Sequence, residues 1–399
     1  VSAAQSRVAL GVLFVLCFLG LGRDLWTPDE PREAEISREM AVSPSVVPSL
    51  NGEDFIEKPP LYYWTVAAVF TAVGPSPAAA RTVSAVASFL TLWLVFLWGR
   101  REFSGRVGLA AALGLATSTQ FMISSHWIVM DPLLMLFTTV ALWAGFELAR
   151  GRGSFKTLLA FYAALTLALW TKGLIGPVLI ACGLIAYAAA KRSLAPIWRV
   201  RPFTGTAVLV AMTGVIAALI FFRSGLTEVR DWLWVNHVQR FVDPSGTGTG
   251  HDQPFYYYLS AVPIALFPWW VPFAGLFKPR GWRAAATARP ARDAEIYLGA
   301  VSLGMVLILS AAATKRALYL LPMLPPIFLL LAARAEAWWE RRPRGALGGY
   351  AWWLQAALVL FFAAAPTVAA LAYLRRLDAA AVAFVAAVAV LGAAVVVFS

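Results

Sequence analysis

The chain has 399 residues, of which 60% are apolar and 14% charged, and its mean hydropathy is +0.71. That balance leaves too little polar surface for a soluble chain of this length and excludes the water-soluble classes. The net charge of +12 would suit nucleic acid. The basic residues, however, sit in short clusters between apolar segments, which is the pattern of membrane topology, so no nucleic-acid partner is expected.

Segments apolar enough to cross a hydrocarbon core of ~30 Å recur along the chain. In order they are 7–23, 77–98, 107–124, 131–149, 157–171, 173–190, 204–222, 257–277, 294–313, 318–333, 349–373 and 380–398. The expected fold is therefore an all-α polytopic membrane protein with a bundle of about twelve transmembrane helices. The segments at 157–171 and 318–333 are short and are expected to tilt or to carry a neighbouring loop into the membrane. Arg7 to Gly22 reads as a first spanning helix rather than a cleavable leader, and a chain starting at Val1 is expected to lack its true N-terminus. Cys17 and Cys182 both lie inside apolar segments, where they act as small hydrophobes, so neither a disulfide nor a cysteine metal site is expected.

Charge sets the orientation. Arg7 and the loops at 100–106, 150–156, 191–201, 278–292 and 334–344 hold 20 of the 33 Lys and Arg, and the positive-inside rule makes that face cytoplasmic. The opposite face holds 15 of the 21 Asp and Glu. That acidic excess lies outside the rule and points to function. Two loops on that outer face are long, 24–76 and 223–256. Pro31 suits a first helical turn and is followed by strong helix formers, while the run from Leu61 to Phe70 is apolar but too short to span. Two juxtamembrane helices are expected in the first outer loop. Gly246-Thr247-Gly248-Thr249-Gly250 follows no strand and lacks a lysine, so it reads as a loop rather than a phosphate cradle. The chain shows no internal repeat.

Ionisable residues near bilayer depth are costly and mark candidate sites. Asp29, Glu30, Glu57, Lys58, Arg81, Asp131, Lys172, Arg240, His251, Lys315 and Arg316 all fall on the outer side, mostly at helix ends. For Asp29 and Glu30 the plain alternative is charge at a helix start, and for Asp131 it is an N-cap. For the cations it is snorkelling to headgroups.

Two clusters carry a resemblance. Asp29-Glu30-x-Arg32-x-x-Glu35-Ile36, with Glu57-Lys58-Pro59-Pro60-Leu61-Tyr62-Tyr63-Trp64, resembles the bacterial aminoarabinose transferases and the protein O-mannosyltransferase relatives, which are GT-C glycosyltransferases. The similarity continues through Asp131-Pro132-Leu133, Thr171-Lys172-Gly173, Asn236 to Phe241, His251 to Tyr258, and Thr314-Lys315-Arg316 to Pro322, so it covers roughly residues 20–330.

The resemblance implies a GT-C bundle whose catalytic core spans 1–333, with C-terminal transmembrane helices over 334–399. It implies an inverting transferase that moves a sugar from a polyprenyl-phosphate donor to an acceptor outside the cytoplasm, in a bacterial inner membrane. Asp29 is then the general base. Glu30 is its partner or only helix-start charge, and Asp131 shapes the pocket. Lys58, Arg81, Lys172, Arg240, Lys315 and Arg316 bind the donor phosphate. Glu57 and His251 share a divalent metal (zinc, or magnesium or manganese), two ligands being an incomplete site. No nucleotide cofactor is expected, and the protein is expected to be a monomer. The acceptor stays open between lipid A, receiving 4-amino-4-deoxy-L-arabinose, and a protein, polysaccharide or other envelope lipid receiving a hexose or pentose. Members of the resembling group commonly carry further spans and a soluble outer domain after the core, and with the sequence ending in an apolar run at Ser399 that part is expected to be missing, shortened or never present. Outside the class, the rivals are a secondary transporter, which would carry its polar residues near the midplane, and a non-catalytic assembly factor.

Overall fold

The computed structural model describes residues 3–26, 29–239, 241, 253–269 and 289–341. Residues 1–267 and 286–336 form one compact unit, while 268–285 and 337–399 form another that lies mostly outside the described residues. Both candidate clusters belong to the first unit.

The chain begins with α1 (Ala3–Phe18), α2 (Asp29–Val42), a two-stranded hairpin of β1 (Ser49–Leu50) and β2 (Glu53–Asp54), and α3 (Leu61–Val73). Then come α4 (Pro77–Glu102), α5 (Gly105–Ala116), α6 (Thr119–Ser125), α7 (Asp131–Ala149), α8 (Phe155–Lys172), α9 (Ile175–Lys191), α10 (Ala195–Arg199), α11 (Pro202–Ser224) and α12 (Leu226–Arg230). A π-helical segment Asp231–Gln239, α13 (Tyr257–Leu266), α14 (Arg289–Ala311), a 3₁₀ segment Ala317–Met323 and α15 (Leu324–Arg341) complete the described elements.

Local chemistry accounts for the boundaries. Ser76 caps α4 by accepting from the Ala79 N–H at 3.2 Å, and Pro77 occupies the first turn, where its missing donor costs nothing. Ser104 caps α5 in the same way through the Val107 N–H at 3.1 Å. Ser154 and Thr157 form a reciprocal capping box on α8, which ends at Gly173 with φ 75°.

Among the described residues five helices are long and apolar enough to cross a membrane, or six if one bent pair counts as a single span. The expected count of about twelve is therefore not reproduced there. The segments 349–373 and 380–398, and the end of 257–277, lie outside the described residues. The expected span 107–124 is made of α5 and α6, bent by 68° at a short break. At the break the Thr117 hydroxyl donates to Leu113 O and the Ser118 hydroxyl to Leu115 O, side-chain bonds added to the backbone N–H that each carbonyl already accepts, a pattern that bends helices.

The α4/α5 hairpin packs backbone on backbone. A Cβ added at Gly99 would lie 2.6 Å from the Cα of Gly108. Gly108→Val is accordingly expected to separate the two helices and to destabilise the protein by about 1–3 kcal/mol, as overpacking does. A thermal melt in detergent reads the effect, and an unshifted midpoint would remove the close approach as a determinant.

At one end of α4 the loops assigned to a common face meet. Arg150 contacts Glu102 at 2.8 Å and Asp293 at 3.3 Å, Arg152 reaches Glu102 at 3.1 Å, and Lys191 reaches Asp293 at 2.7 Å. The ends of α4 and α9 and the starts of α8 and α14 thus share one face, as the charge pattern requires. The acidic first outer loop lies at the other end of α4, about 39 Å away along its axis. Helices do form inside that loop, as α2 and α3. The hairpin between them is an addition to the sequence reading. Asn51 and Gly52 both have positive φ, 55° and 81°, the geometry of a two-residue turn between antiparallel strands.

Candidate active site

The buried face of α2 is Glu30, Glu33, Ile36, Ser37 and Met40, spaced at three and four residues as one helical stripe. Its lower part is ordinary apolar packing, Ile36 and Met40 against Tyr62, Tyr63 and Val66 of α3. Its upper part is two carboxylates, and each has a long-range partner.

Glu30 is fully buried and fully engaged. Arg81, also at 0% side-chain exposure, grips it with two parallel bonds, Nε to Oε1 at 2.9 Å and Nη2 to Oε2 at 2.7 Å. The Trp26 N–H donates to Oε2 at 2.7 Å and the Ile128 N–H to Oε1 at 3.1 Å, and Arg23 adds an ion pair at 3.4 Å. Burial works against the charged form, but the Arg81 and Trp26 bonds and the Arg23 and Arg81 charges outweigh it and hold this carboxyl below its usual range. Arg81 spends its remaining donors on the carbonyls of Leu21, Arg23 and Asp24. The expected catalytic part for Glu30 and phosphate part for Arg81 are not what this geometry offers. The pair is sealed from solvent and ties the start of α2 to α4 and to the loop after α1.

Asp29, one residue earlier, points the other way and keeps 17% side-chain exposure. Its Oδ1 accepts from Arg32 at 3.1 Å and its Oδ2 from Arg316 at 2.6 Å. Arg32 also binds Glu33 at 2.9 Å, and the Tyr63 hydroxyl donates to the other Glu33 oxygen at 2.6 Å. A chain of contacts thus runs from Tyr63 through Glu33 and Arg32 to Asp29 and Arg316. The sequence reading did not single out Arg32, Glu33 or Tyr63 as site residues. The spacing of Glu30 and Glu33 on one helical face was the available signal.

Asp131 opens α7 and Lys172 closes α8, and the two meet at 2.5 Å with both side chains nearly buried. The Lys172 ammonium also sits 4.5 Å from the centre of the Tyr319 ring. The two helices pack along their lengths, which brings the first residue of one to the last of the other. An anion near a helix start and a cation near a helix end are each favoured by the backbone dipoles.

A cavity of about 410 Å³ opens beside this pair. Lys58, Asp131, Lys172, Asn236, Thr314 and Tyr319 form its polar part, and Leu134, Ile175, Val178, Leu179, Ile308 and Leu309 its apolar wall. A second cavity of about 340 Å³ is lined by Arg316 and Lys315 with Gln120, Trp127, Gln253 and Tyr257. Arg316 borders that second cavity while holding Asp29. Burial disfavours its charge, but the Asp29 hydrogen bond and charge reverse that and raise its pKa.

Lys315 departs from its expected phosphate-binding part. It is 4% exposed, and its ammonium donates to the carbonyls of Gln253 at 2.7 Å, Ala312, and Ala313 at 3.4 Å. An ammonium has three protons, and here they serve two carbonyls just after α14 and that of Gln253 before α13. Burial alone lowers its pKa.

Glu57 and Lys58 lie in the turn before α3, and both make further contacts. Arg240 and His251 lie outside the described residues, so the expected Glu57–His251 metal pair does too. Among the described residues no group of three or more His, Cys, Asp or Glu is placed to hold a metal ion.

Comparison with known proteins places these features. Residues 57–221 match the model of the dolichyl-phosphate-mannose-protein mannosyltransferase family. The undecaprenyl phosphate-alpha-4-amino-4-deoxy-L-arabinose arabinosyl transferase of Edwardsiella ictaluri is 31% identical over 326 residues, which is 80% of this chain and 57% of that protein. The protein of the same name from Aeromonas hydrophila is 31% identical over 332 residues, 79% of this chain and 57% of that one. Among solved structures, ArnT from Cupriavidus metallidurans in the apo state superposes with a TM-score of 0.73 at 25% identity, covering 99% of this chain and 70% of that one. The same protein bound to undecaprenyl phosphate gives 0.75 at 24% identity. The chain spans somewhat more than half the length of the curated relatives it matches. The expected resemblance to the aminoarabinose transferases is therefore present in sequence and in fold, and that to protein mannosyltransferases in sequence.

Proposed function

We propose that this relative of the aminoarabinose transferases is an inverting glycosyltransferase that moves a sugar from a polyprenyl-phosphate donor to an acceptor outside the cytoplasm. The observation that carries the reading is the 410 Å³ cavity, whose polar part holds Lys58 and Lys172 and whose wall is apolar. A lipid phosphate has that same division, an anionic head on a hydrocarbon chain. The ammonium groups of Lys58 and Lys172 take the phosphate, and the wall from Leu134 to Leu309 takes the first isoprene units. Asp131 positions Lys172 through their ion pair.

In the reaction the acceptor oxygen forms a bond to the anomeric carbon. The bond from that carbon to the phosphate oxygen breaks, and its electron pair leaves with polyprenyl phosphate. That leaving group is a stable anion, so it needs charge stabilisation rather than a proton. An alcohol acceptor must lose its own proton, and Asp29 is the group to take it. An acceptor drawn to the Arg316 guanidinium from the second cavity arrives beside Asp29. Glu30 and Arg81 hold the start of α2 in place and touch neither substrate.

The catalytic core of this reading spans 1–333, and of the remainder only 334–341 is described, as the end of α15. The site faces the periplasm of a bacterial inner membrane, with α2 and α3 at the membrane surface. Within this class, 4-amino-4-deoxy-L-arabinose is the favoured sugar and lipid A the favoured acceptor. The names of the relatives support the sugar. A hexose or pentose passed to a protein or polysaccharide is the alternative.

Lys172→Met tests the donor site. It is expected to raise the KM for a polyprenyl-phosphate sugar about tenfold to a hundredfold, with a smaller effect on kcat, because a charge-assisted contact of about 1.5–3 kcal/mol is lost. Steady-state transfer in detergent measures it, and an unchanged KM would remove the phosphate from this cavity. Substrate uptake by vesicles without any sugar transfer would instead favour a transporter.

A further inference from the structure

A third cavity, of about 620 Å³, lies at the far end of α4 from Asp29. It is lined by Ser6, Arg7 and Leu10 of α1, by Trp93, Leu97 and Arg100 of α4, and by neighbouring Phe96 and Gly105. The seam between the two helices is closed higher up. There Phe14 meets Phe89 edge to face, with ring centres 5.2 Å apart, and Leu13 and Cys17 are buried. Toward the start of α1 the seam opens into this cavity, and Trp93 remains 44% exposed on its rim.

Part of the basic charge on this face is committed to ion pairs: Arg101 pairs with Glu147, Arg150 with Glu102, and Lys191 with Asp293. Arg7 and Arg100 instead line one cavity together. Arg7 and Arg100 have no acidic partner among the described residues, and both are exposed. They stand at the basic ends of apolar helices, over a tryptophan and two leucines, on the face that the positive-inside rule makes cytoplasmic. Two unpaired guanidinium groups above an apolar groove match a phosphodiester headgroup with an acyl chain below it, and anionic lipids are what that leaflet supplies.

We propose that this groove is a binding site for an anionic diacyl phospholipid of the cytoplasmic leaflet, with its phosphate held between Arg7 and Arg100 and an acyl chain along Leu10, Trp93 and Leu97. The site is separate from the donor cavity and does not depend on what the enzyme transfers. A bound lipid would fill the gap between α1 and α4 and fix the entry of the chain into the membrane.

The test is native mass spectrometry of the full chain purified in detergent and offered equal phosphatidylglycerol and phosphatidylethanolamine. Wild type is expected to retain one phosphatidylglycerol with a preference of roughly tenfold. Arg7→Gln with Arg100→Gln removes that preference, whereas Arg7→Lys with Arg100→Lys keeps most of it. Arg192→Gln, at an exposed basic residue ending α9, leaves it intact. Sugar transfer by the Gln pair proceeds at the wild-type rate once the protein is in detergent. Equal retention of the two lipids by wild type overturns the proposal. So does an unchanged preference in the Gln pair, or displacement of the phosphatidylglycerol by polyprenyl phosphate.

Discussion

Asp29→Asn is expected to lower the transfer rate by about a hundredfold to ten-thousandfold with a hydroxyl acceptor, while the protein remains folded. The amide has the shape of the carboxylate but cannot take a proton. Structural damage is limited, because Asp29 is part-exposed and such ion pairs are worth about 1 kcal/mol or less. Arg32 keeps its contact with Glu33, so the start of α2 stays held. Single-turnover transfer measures the loss, and a thermal melt confirms the fold. The acceptor can be read from the same variant. A phosphate monoester is already ionised at neutral pH and needs no base, so its rate should fall much less than that of an alcohol. Wild-type rates with an alcohol would remove Asp29 from the chemistry.

Arg81→Met is expected to act on folding instead, costing about 3–5 kcal/mol, because it leaves the Glu30 carboxylate buried without its bidentate partner. It also strips donors from the carbonyls of Leu21, Arg23 and Asp24. Glu30→Leu combined with Arg81→Met should recover part of the loss, since removing both charges avoids an unpaired one. Recovery stays incomplete because the Trp26 and Ile128 N–H groups then lack their acceptor. Melting temperature in detergent distinguishes these outcomes, and a wild-type melt for Arg81→Met would remove the pair as a structural tie. The pH dependence has a definite sign. The folded-state pKa of Glu30 is depressed. Its contribution is therefore complete above the unfolded carboxyl value of about 4.3 and is lost as pH falls through the lower folded value.

The contrast between these two neighbours shows where reading from sequence runs out. Asp29 and Glu30 are consecutive carboxylates before the same helix formers, and nothing local tells them apart. On α2 they differ by about 100° in direction, which turns Glu30 into the packed face and Asp29 toward Arg316. Their partners lie 51 and 287 residues away. Lys315 and Arg316 divide in the same way: one is consumed by carbonyls just after α14 and before α13, and the other reaches Asp29 at the edge of a cavity. The Asn51–Gly52 hairpin, by contrast, had a local signal that was open to reading.

Composition and charge spacing by themselves determined that this chain lives in a membrane, which loops share a face, and that the acidic residues gather at the opposite end. The ordered motifs around Asp29, Lys58, Asp131, Lys172 and Arg316 determined its relatives. These are properties of segments, set by transfer into lipid and by residues near one another in the chain. Only the tertiary structure decided which ionisable groups are available for chemistry and which are spent on the fold. That choice depends on side-chain direction at helix ends and on partners from distant helices, and neither is encoded within any one segment.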